Sequence, residues 1–244
     1  LTLEALKDFG MDRKSMLKSK NMFALGIVMY LFNRDITQLN HYFETKFKNK
    51  PQVIEANKTV VAAGYSYADT LEIFANTYRI QPAELPKGKY RDISGNVATA
   101  WGLMAASERS GRQLFVGSYP ITPATDILVE LTKHKDLKVK AYQAEDEIAG
   151  ITSSIGAAFA GCLSVTTTSG PGLSLKSEAL GLAVMTELPL VVIDVQRGGP
   201  STGLPTKTEQ SDLTQALFGR NGDAPLIVLA AKSSVDCFYS AFEA

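Results

Sequence analysis

The sequence predicts an α/β fold, in which a mostly parallel sheet carries helices on both faces and follows a helical segment. Three observations support this prediction. From residue 93 onward, short apolar segments of strand length alternate with segments of helical length. The short segments are nearly continuous apolar runs, which is typical of strands buried on both faces. Residues 1–75 differ, because their apolar residues recur at helical spacing without the alternation of strands.

The first 75 residues are therefore predicted to form helices. One stretch places its apolar residues on nearly one helical face: Ile36, Leu39, Phe43 and Phe47. Pro51 suits the first turn of a helix, where its missing N–H is not needed. The predicted helices cover 3–16, 22–33, 36–48 and 51–75. Residues 76–92 contain two prolines, a glycine and scattered charges, and this composition predicts an extended linker or an ordered loop between the two units.

Strands and helices alternate along 93–244, the predicted second domain. The predicted strands are 114–118, 139–143, 165–168, 190–195 and 226–230. The predicted helices are 95–110, 123–134, 145–160, 173–187, 209–218 and a final one capped by Ser233 or Ser234. Gly111 ends the first helix, because glycine is favoured just past a helix C-terminus. Parallel sheets bind ligands at the carboxyl ends of their strands, so the site is expected in the loops that follow them: 119–123, 143–146, 169–172 and 196–208.

The composition excludes some classes of function. Lys and Arg together number 25, as do Asp and Glu, so a net charge of zero offers no general attraction to nucleic acid or an anionic membrane. The longest apolar run, 22–32, is too short to span a bilayer. Cys162 and Cys237 are far apart, which favours reduced cysteines in a cytoplasmic protein over a disulfide framework or an iron–sulfur cluster. The sequence contains no histidine spacing typical of a zinc site, so no metal is expected on this chain.

Two strand-end loops hold residues suited to an anionic ligand. In the first, Thr122 and Pro123 open a predicted helix, where threonine either caps the helix or offers its hydroxyl to a ligand. In the second, 194–210, Arg197 follows the most apolar strand, and a guanidinium there could bind a carboxylate or phosphate. A structural loop with a solvated Arg197 is the alternative for this second segment.

Two further loops hold acids and glycines. Glu145, Asp146 and Glu147 stand together at the start of a predicted helix. The helix dipole favours acidic residues there, but three exceed what capping requires, so one could hold a basic nitrogen of a cofactor. Gly170 and Gly172 form a turn that enters a helix, which either lets the backbone approach a ligand closely or is a structural tight turn.

Four motifs in register resemble the alpha subunit of 2-oxoacid:ferredoxin oxidoreductases, most closely the 2-oxoglutarate type. They are Tyr-Pro-Ile-Thr-Pro at 119–123, Gln-Ala-Glu-Asp-Glu at 143–147, Thr-Ser-Gly-Pro-Gly at 168–172, and the whole segment 195–210. The resemblance covers roughly 93–244 and implies a thiamine diphosphate-binding fold of the pyrimidine type. Residues 1–75 are similar to the tail of a gamma-type domain fused ahead of the alpha domain. The chain begins with Leu and ends within a helical pattern, so we expect a fragment of a longer polypeptide.

This resemblance implies an enzyme that is active only together with a beta subunit. The expected reaction is the oxidative decarboxylation of a 2-oxoacid with coenzyme A, which yields an acyl-CoA, CO2 and reduced ferredoxin. Thiamine diphosphate is expected to be shared between the two subunits, with Mg²⁺ and an iron–sulfur cluster on the partner chain. Consistent with that division, Gly-Asp-Ala at 222–224 lacks the second glycine of a diphosphate–magnesium motif.

The resemblance also implies a role for each candidate site residue. Glu145 is expected to contact the N1′ nitrogen of the cofactor's aminopyrimidine. Thr122 and Arg197 are expected to bind the carboxylate or carbonyl oxygen of the substrate and, with Glu145, to be the catalytic residues. The other candidates line the cofactor (Tyr119, Pro120, Gly170 and Gly172) or contact substrate or coenzyme A (Ser201, Thr202 and Lys207).

Two other functions stay open. The first is a catalytically silent partner or regulatory module with the same fold, although the presence of Thr122, Glu145 and Arg197 favours an active site. The second is a nucleotide-binding α/β enzyme that uses the turn at 170–177, although Leu175 stands where a phosphate-binding loop needs glycine. The 2-oxoacid is also open, with 2-oxoglutarate favoured over branched-chain and other 2-oxoacids.

Overall fold

The chain divides into two units by its internal contacts, Leu1–Gly88 and Lys89–Ala244. The structure is a computed structural model that describes residues 1–72, 74–134 and 136–244. The boundary between the units falls inside the predicted linker 76–92. Ile73, near the end of the predicted helix 51–75, lies outside the described residues.

The first unit contains five helices in its described part: α1 (Thr2–Ala5), α2 (Arg13–Lys18), α3 (Lys20–Leu31), α4 (Thr37–Lys46) and α5 (Pro51–Thr70). The helix predicted over 3–16 is wrong, because the chain turns between α1 and α2. Gly10 has a φ of +62° there, in the left-handed region that glycine adopts freely. Asp12 then caps α2 by accepting a hydrogen bond from the Ser15 N–H.

Helices α3 and α5 pack so closely that two glycines are required between them. A Cβ on Gly26 would overlap the carbonyl oxygen of Val61, and a Cβ on Gly64 would overlap that of Phe23. Leu6, Phe23, Ala56 and Val60 form the buried core of this unit. Within the described parts of the chain, no helix is both long enough and apolar enough to cross a membrane.

The second unit is built on four parallel strands in the order β2-β1-β3-β4. The strands are β1 (Leu114–Ser118), β2 (Val139–Gln143), β3 (Leu163–Thr168) and β4 (Val191–Asp194). The predicted strand 226–230 is wrong. Its residues alternate between half-buried and exposed, yet they form no ladder with any strand in the part of the chain that is described. An alternating pattern is not enough for a strand without a neighbour to pair with.

The helices of the second unit are α6 (Gly95–Ser110), α7 (Thr125–Thr132), α8 (Glu147–Phe159), α9 (Gly170–Leu175), α10 (Ser177–Met185), α11 (Leu213–Phe218) and α12 (Ser234–Glu243). Gly111 ends α6 with a φ of +70°, and Ser233 caps α12, as predicted. The single helix predicted over 173–187 is wrong, because helix formation starts at Gly170 and breaks at Lys176.

Helices cover both faces of the sheet, which confirms the predicted fold class. On one face, α6 and α7 pack on β1 and β3 through residues such as Leu103 and Ile127. On the other face, α8, α9 and α10 form a second core that includes Ile151 and Leu180. The central strands β1 and β3 are buried by this cover, whereas the edge strand β2 is mostly exposed.

We expect Gly64→Ala to destabilise the first unit by about 1–3 kcal/mol, because α3 and α5 must separate to admit a methyl group. The matched control is Gly156→Ala in α8, since the space around Gly156 is open. Alanine there should be neutral or stabilising by up to about 1 kcal/mol. Urea unfolding followed by circular dichroism measures both effects, and equal midpoints for the two variants would contradict the close packing.

Candidate active site

The four strands end at one edge of the sheet, and the connections diverge there. After β1 the chain crosses one face through α7 to reach β2, and after β2 it crosses the opposite face through α8 to reach β3. After β3 the chain enters α9, which packs on the same face as α8, so the loops that follow β1 and β3 leave the sheet in opposite directions. A crevice forms at such a point, and it is where open parallel sheets bind ligands.

The loop after β1 is held by side chains from two distant elements. Arg197, which follows β4, donates from Nη1 to the carbonyl oxygen of Thr122 at 2.7 Å. Asn96, in the first turn of α6, donates from Nδ2 to the carbonyl oxygen of Pro123 at 2.9 Å. The predicted cap role of Thr122 is wrong, because α7 begins at Thr125. The Thr122 side chain is exposed and is not used to start the helix.

Arg197 is buried, with only 6% of its surface exposed. Its Nη2 donates to the carbonyl oxygen of Thr202 at 2.8 Å, so one guanidinium joins the loop after β1 to the loop after β4. Its Nε is also buried, and no described residue accepts a hydrogen bond from it. An unpaired donor of this kind is costly in a folded protein, which makes it a candidate ligand contact.

The β4–α11 loop, 195–212, folds back on itself. Gly198 forms an isolated bridge with Leu204, and the Gly198 N–H donates to the carbonyl oxygen of Lys207 at 2.8 Å. The three residues of this loop that are expected to contact substrate or coenzyme A have exposed side chains: Ser201, Thr202 and Lys207. In the loop after β1, Tyr119 is 38% exposed and Pro120 is half-buried.

The three acids after β2 have three different environments. Asp146 is the N-cap of α8, and its carboxylate accepts from the Ala149 N–H at 2.7 Å. Glu145 is exposed at the end of β2, an edge strand. Glu147 is half-buried in the first turn of α8, and its side chain lies against Gly172. The pattern of the sequence could not separate these roles.

The glycine-rich segment after β3 is helical rather than an open turn, because α9 begins at Gly170. A Cβ on Gly170 would lie 2.9 Å from Oδ2 of Asp212. A Cβ on Gly172 would overlap Oγ1 of Thr168 and lie 2.9 Å from Cγ of Glu147. Both glycines are therefore required by close contacts with residues at the carboxyl edge of the sheet.

A buried pair of carboxyl groups closes the ends of the β4–α11 loop, and sequence reasoning missed it. Asp194 ends β4, and Asp212 precedes α11 with 5% of its surface exposed. Burial, together with the neighbouring carboxyl of Asp212, raises the pKa of Asp194 to about 8. Asp212 also accepts a short hydrogen bond from Nε2 of Gln196. The Asp194 carboxyl is therefore mostly protonated at neutral pH.

Among the residues that the structure describes, no group of three or more His, Cys, Asp or Glu side chains gathers to hold a metal ion. The chemistry of the crevice is instead that of hydrogen-bond donors, carboxylates and a buried guanidinium. The sequence also gave no sign of two contributors, Asn96 and Lys176. Asn96 lies in the first turn of α6 and Lys176 at the break between α9 and α10, and only the fold brings them to this edge.

Comparison with known proteins identifies the family. Residues 109–244 match the model of the pyruvate flavodoxin/ferredoxin oxidoreductase family, thiamine diphosphate-binding. The chain belongs to this family.

The chain's relatives confirm the resemblance that the four motifs predicted. Two of them show how much of the chain and of each relative is matched. The chain is 57% identical over its whole length to the 2-oxoglutarate oxidoreductase subunit KorA of Mycobacterium tuberculosis, of which it covers 37%. It is 37% identical, over 98% of its length, to the alpha subunit of 2-oxoacid:ferredoxin oxidoreductase 1 of Aeropyrum pernix, of which it covers 38%. The chain thus spans well under half the length of these curated relatives.

The chain is also similar to a solved structure. The match is the 2-oxoglutarate:ferredoxin oxidoreductase of Magnetococcus marinus, determined with 2-oxoglutarate, coenzyme A and succinyl-CoA bound. The TM-score is 0.74 at 40% sequence identity, over 99% of this chain and 41% of the other. That level of identity supports comparison of the site as well as of the fold.

We expect the Asp194–Asp212 pair to make stability depend on pH. The pKa of Asp194 is raised on folding, so its contribution is complete below about pH 4 and is lost as pH rises through about 8. Asp194→Asn mimics the protonated acid and should raise the melting temperature at pH 8.5 by roughly 5 °C. The control is Asp223→Asn in an exposed loop. If melting curves of Asp194→Asn and wild type show the same pH dependence from 5 to 9, the raised pKa of Asp194 is refuted.

Proposed function

We propose that this chain is the substrate-side part of a 2-oxoglutarate:ferredoxin oxidoreductase. The proposed reaction is the coenzyme A-dependent oxidative decarboxylation of 2-oxoglutarate to succinyl-CoA and CO2, with electrons passed to ferredoxin. The observation that carries the proposal is the crevice between the loops after β1 and β3. A buried guanidinium with an unpaired donor, an exposed threonine and a helix start that carries acids all lie at this carboxyl edge of the sheet. The names of the relatives and the ligands of the similar structure support the substrate.

The residues around the crevice fit the pyrimidine half of thiamine diphosphate. Gly170 and Gly172 let α9 pack closely against residues at the carboxyl edge of the sheet, and acids stand at the start of α8. When bound, thiamine diphosphate supplies the carbon nucleophile that adds to the 2-oxoacid and stabilises the electrons released with CO2. The diphosphate, Mg²⁺ and an iron–sulfur cluster are proposed to be held by a beta subunit, so the complete site would form between chains.

Either of two acids could hold a proton at N1′ of the aminopyrimidine. Glu145 is the residue that the motif implies, and its exposed carboxylate is free of the capping role that Asp146 fills. Glu147 is favoured by its position, because it lies against Gly172 and is partly shielded from water. Partial burial strengthens a hydrogen bond between a carboxylate and a ring nitrogen. We therefore propose both as candidates and distinguish them by mutation.

Thr122 and Arg197 are proposed to bind the 2-oxoacid. Arg197 already donates to the carbonyl oxygens of Thr122 and Thr202, which holds the exposed Thr122 hydroxyl beside the crevice. A guanidinium has five N–H donors, so others, including the buried Nε, remain for a substrate carboxylate. Ser201, Thr202 and Lys207 are proposed to contact substrate or coenzyme A from the β4–α11 loop.

The domain organisation and the electron acceptor are also proposed. We propose that 1–75 is the end of a gamma-type domain, that 76–92 links it to the alpha domain at 93–244, and that ferredoxin is the electron acceptor. Identity to the KorA relative extends over the whole chain, which supports a common organisation. Cys162 and Cys237 are both free, in keeping with the proposed cytoplasmic location.

We expect replacement of the acid that contacts N1′ to lower kcat by at least about 100-fold. Glu145→Gln and Glu147→Gln are made separately in the full-length protein and assayed with its beta subunit. The assay is coenzyme A-dependent reduction of a viologen dye, with 2-oxoglutarate compared against pyruvate. The control is Glu108→Gln, an exposed residue near the end of α6 and far from the strand ends.

The larger loss identifies the acid that contacts the cofactor. If both variants keep full activity, neither acid has the proposed role. If the wild-type complex fails to bind thiamine diphosphate in calorimetry, the chain is a silent module with the same fold. A preference for pyruvate would overturn the proposed substrate but not the class of reaction.

Arg197→Lys is expected to raise the KM for 2-oxoglutarate by about 10-fold or more. A lysine carries a single ammonium and cannot donate to two loops and a carboxylate in the planar geometry of a guanidinium. Arg109→Lys, at the exposed end of α6, is the matched control. Steady-state kinetics measures the change. An unchanged KM in Arg197→Lys would show that Arg197 only supports the loops.

A further inference from the structure

Lys176 is the largest side chain that is completely buried in the described parts of the chain, with 0% of its surface exposed. Lysine is almost never fully buried without a partner, because removing an ammonium from water is costly. Its Nζ donates to the carbonyl oxygen of Glu147 at 2.6 Å. The charged groups that face it, Glu147 and Asp146, both belong to the start of α8. Neither the fold nor the proposed roles of the motif residues require a cation here.

The position of Lys176 links two of the elements that border the crevice. It stands at the break between α9 and α10, one helical turn after Gly172. Gly172 packs against Cγ of Glu147, and Lys176 reaches the backbone of the same residue. A Cβ on Gly150, one turn further along α8, would lie 3.5 Å from the ammonium. The side chain therefore lies beneath the first turn of α8, on the side away from solvent.

This cation does not help the fold. Burial lowers the pKa of Lys176 to about 8, against the attraction of Glu147 and Asp146, so the ammonium is less favoured in the folded chain than in water. The resulting cost is complete below about pH 8 and disappears as the pH rises toward the ordinary pKa of lysine. Methionine has a similar length and would fill the same space without that cost.

The cation does act on the acids of the site. Glu145, Asp146 and Glu147 are consecutive, and their carboxylates repel one another near the crevice. The positive charge beneath the turn attracts Glu147 and Asp146, and its hydrogen bond to the Glu147 carbonyl oxygen anchors the backbone of the turn. The contact with the Glu147 carbonyl also limits rotation of the first turn of α8, which sets the direction of the side chains that precede and follow it.

We propose that Lys176 is a positioning residue that holds the first turn of α8, and so the acid that binds the aminopyrimidine of thiamine diphosphate, in its working orientation. This inference rests on the proposed function and holds for either Glu145 or Glu147. Lys176 touches neither substrate nor cofactor in this proposal. It acts through the backbone of Glu147 and through its charge.

The test is Lys176→Met in the full-length protein with its beta subunit, alongside Lys138→Met, an exposed lysine at the amino end of the sheet. We expect Lys176→Met to bind thiamine diphosphate at least about 10-fold more weakly in calorimetry and to lower kcat by a similar factor. The KM for 2-oxoglutarate should stay within about twofold of wild type. The melting temperature at pH 7 should be equal to or above that of wild type, and Lys138→Met should change none of these.

Three other results would overturn the role of Lys176. If the wild-type complex neither binds thiamine diphosphate nor reduces the dye, the proposed function fails, and the inference fails with it. If wild type is active and Lys176→Met matches it in cofactor affinity and kcat, only the role of Lys176 is overturned. If Lys176→Met melts well below wild type or does not fold, the lysine is a structural residue and the positioning role is overturned.

Discussion

The close approach of α8 to strands β1 and β3 is the constraint on which the candidate site depends. A Cβ on Gly117 would overlap the hydroxyl of Ser153 and lie 2.6 Å from the carbonyl oxygen of Gly150. The buried Ser154 hydroxyl accepts from the Gly117 N–H at 3.2 Å and donates to the carbonyl oxygen of Val165 at 2.9 Å. One hydroxyl thus ties the helix to two strands. Since this contact lies two turns into α8, it determines where the acids of the first turn stand relative to the strand ends.

The other side of the crevice depends on a residue far away in sequence. Arg197 and Thr122 are separated by 75 positions, yet the guanidinium of one holds the backbone of the other. Nη1 and Nη2 of this buried guanidinium are paired with carbonyl oxygens of the loops after β1 and β4, and the cost of losing either hydrogen bond holds both loops in place. The Asp194–Asp212 pair adds a second closure at the ends of the β4–α11 loop. The loops on this side are therefore held in place by contacts within the chain itself.

The sequence predicts the parallel sheet well because short segments of apolar or β-branched residues alternate with helices along the second unit. The predicted bounds of β1 and β2 match the structure residue by residue. Prediction failed where tertiary contacts decide the outcome. The pattern at 226–230 is that of a strand, but pairing depends on a neighbour that local sequence does not reveal. The helix predicted over 3–16 failed at Gly10, where one residue in the left-handed region redirects the chain.

The site shows the same division between local and tertiary information. The motifs located the strand-end loops and their acids, glycines and arginine, because these residue types are informative in themselves. Which acid faces the crevice depends on the rotation of α8, and that rotation is set by Gly117, Ser154 and Gly172. Lys176 gave no local signal, since a lysine near a helix start is normally solvated. Its burial follows only from the packing of α9 against α8.

The proposed positioning role of Lys176 comes with a loss of folding free energy. A helix N-terminus already attracts carboxylates, but the effect is small and is screened by water. An ammonium removed from water is screened much less, so it acts on the acids more strongly than an exposed lysine could. The same desolvation lowers the pKa of Lys176 and disfavours its charged form in the folded state. Strong attraction of the acids and loss of folding free energy are therefore two consequences of one burial, and neither can be obtained without the other.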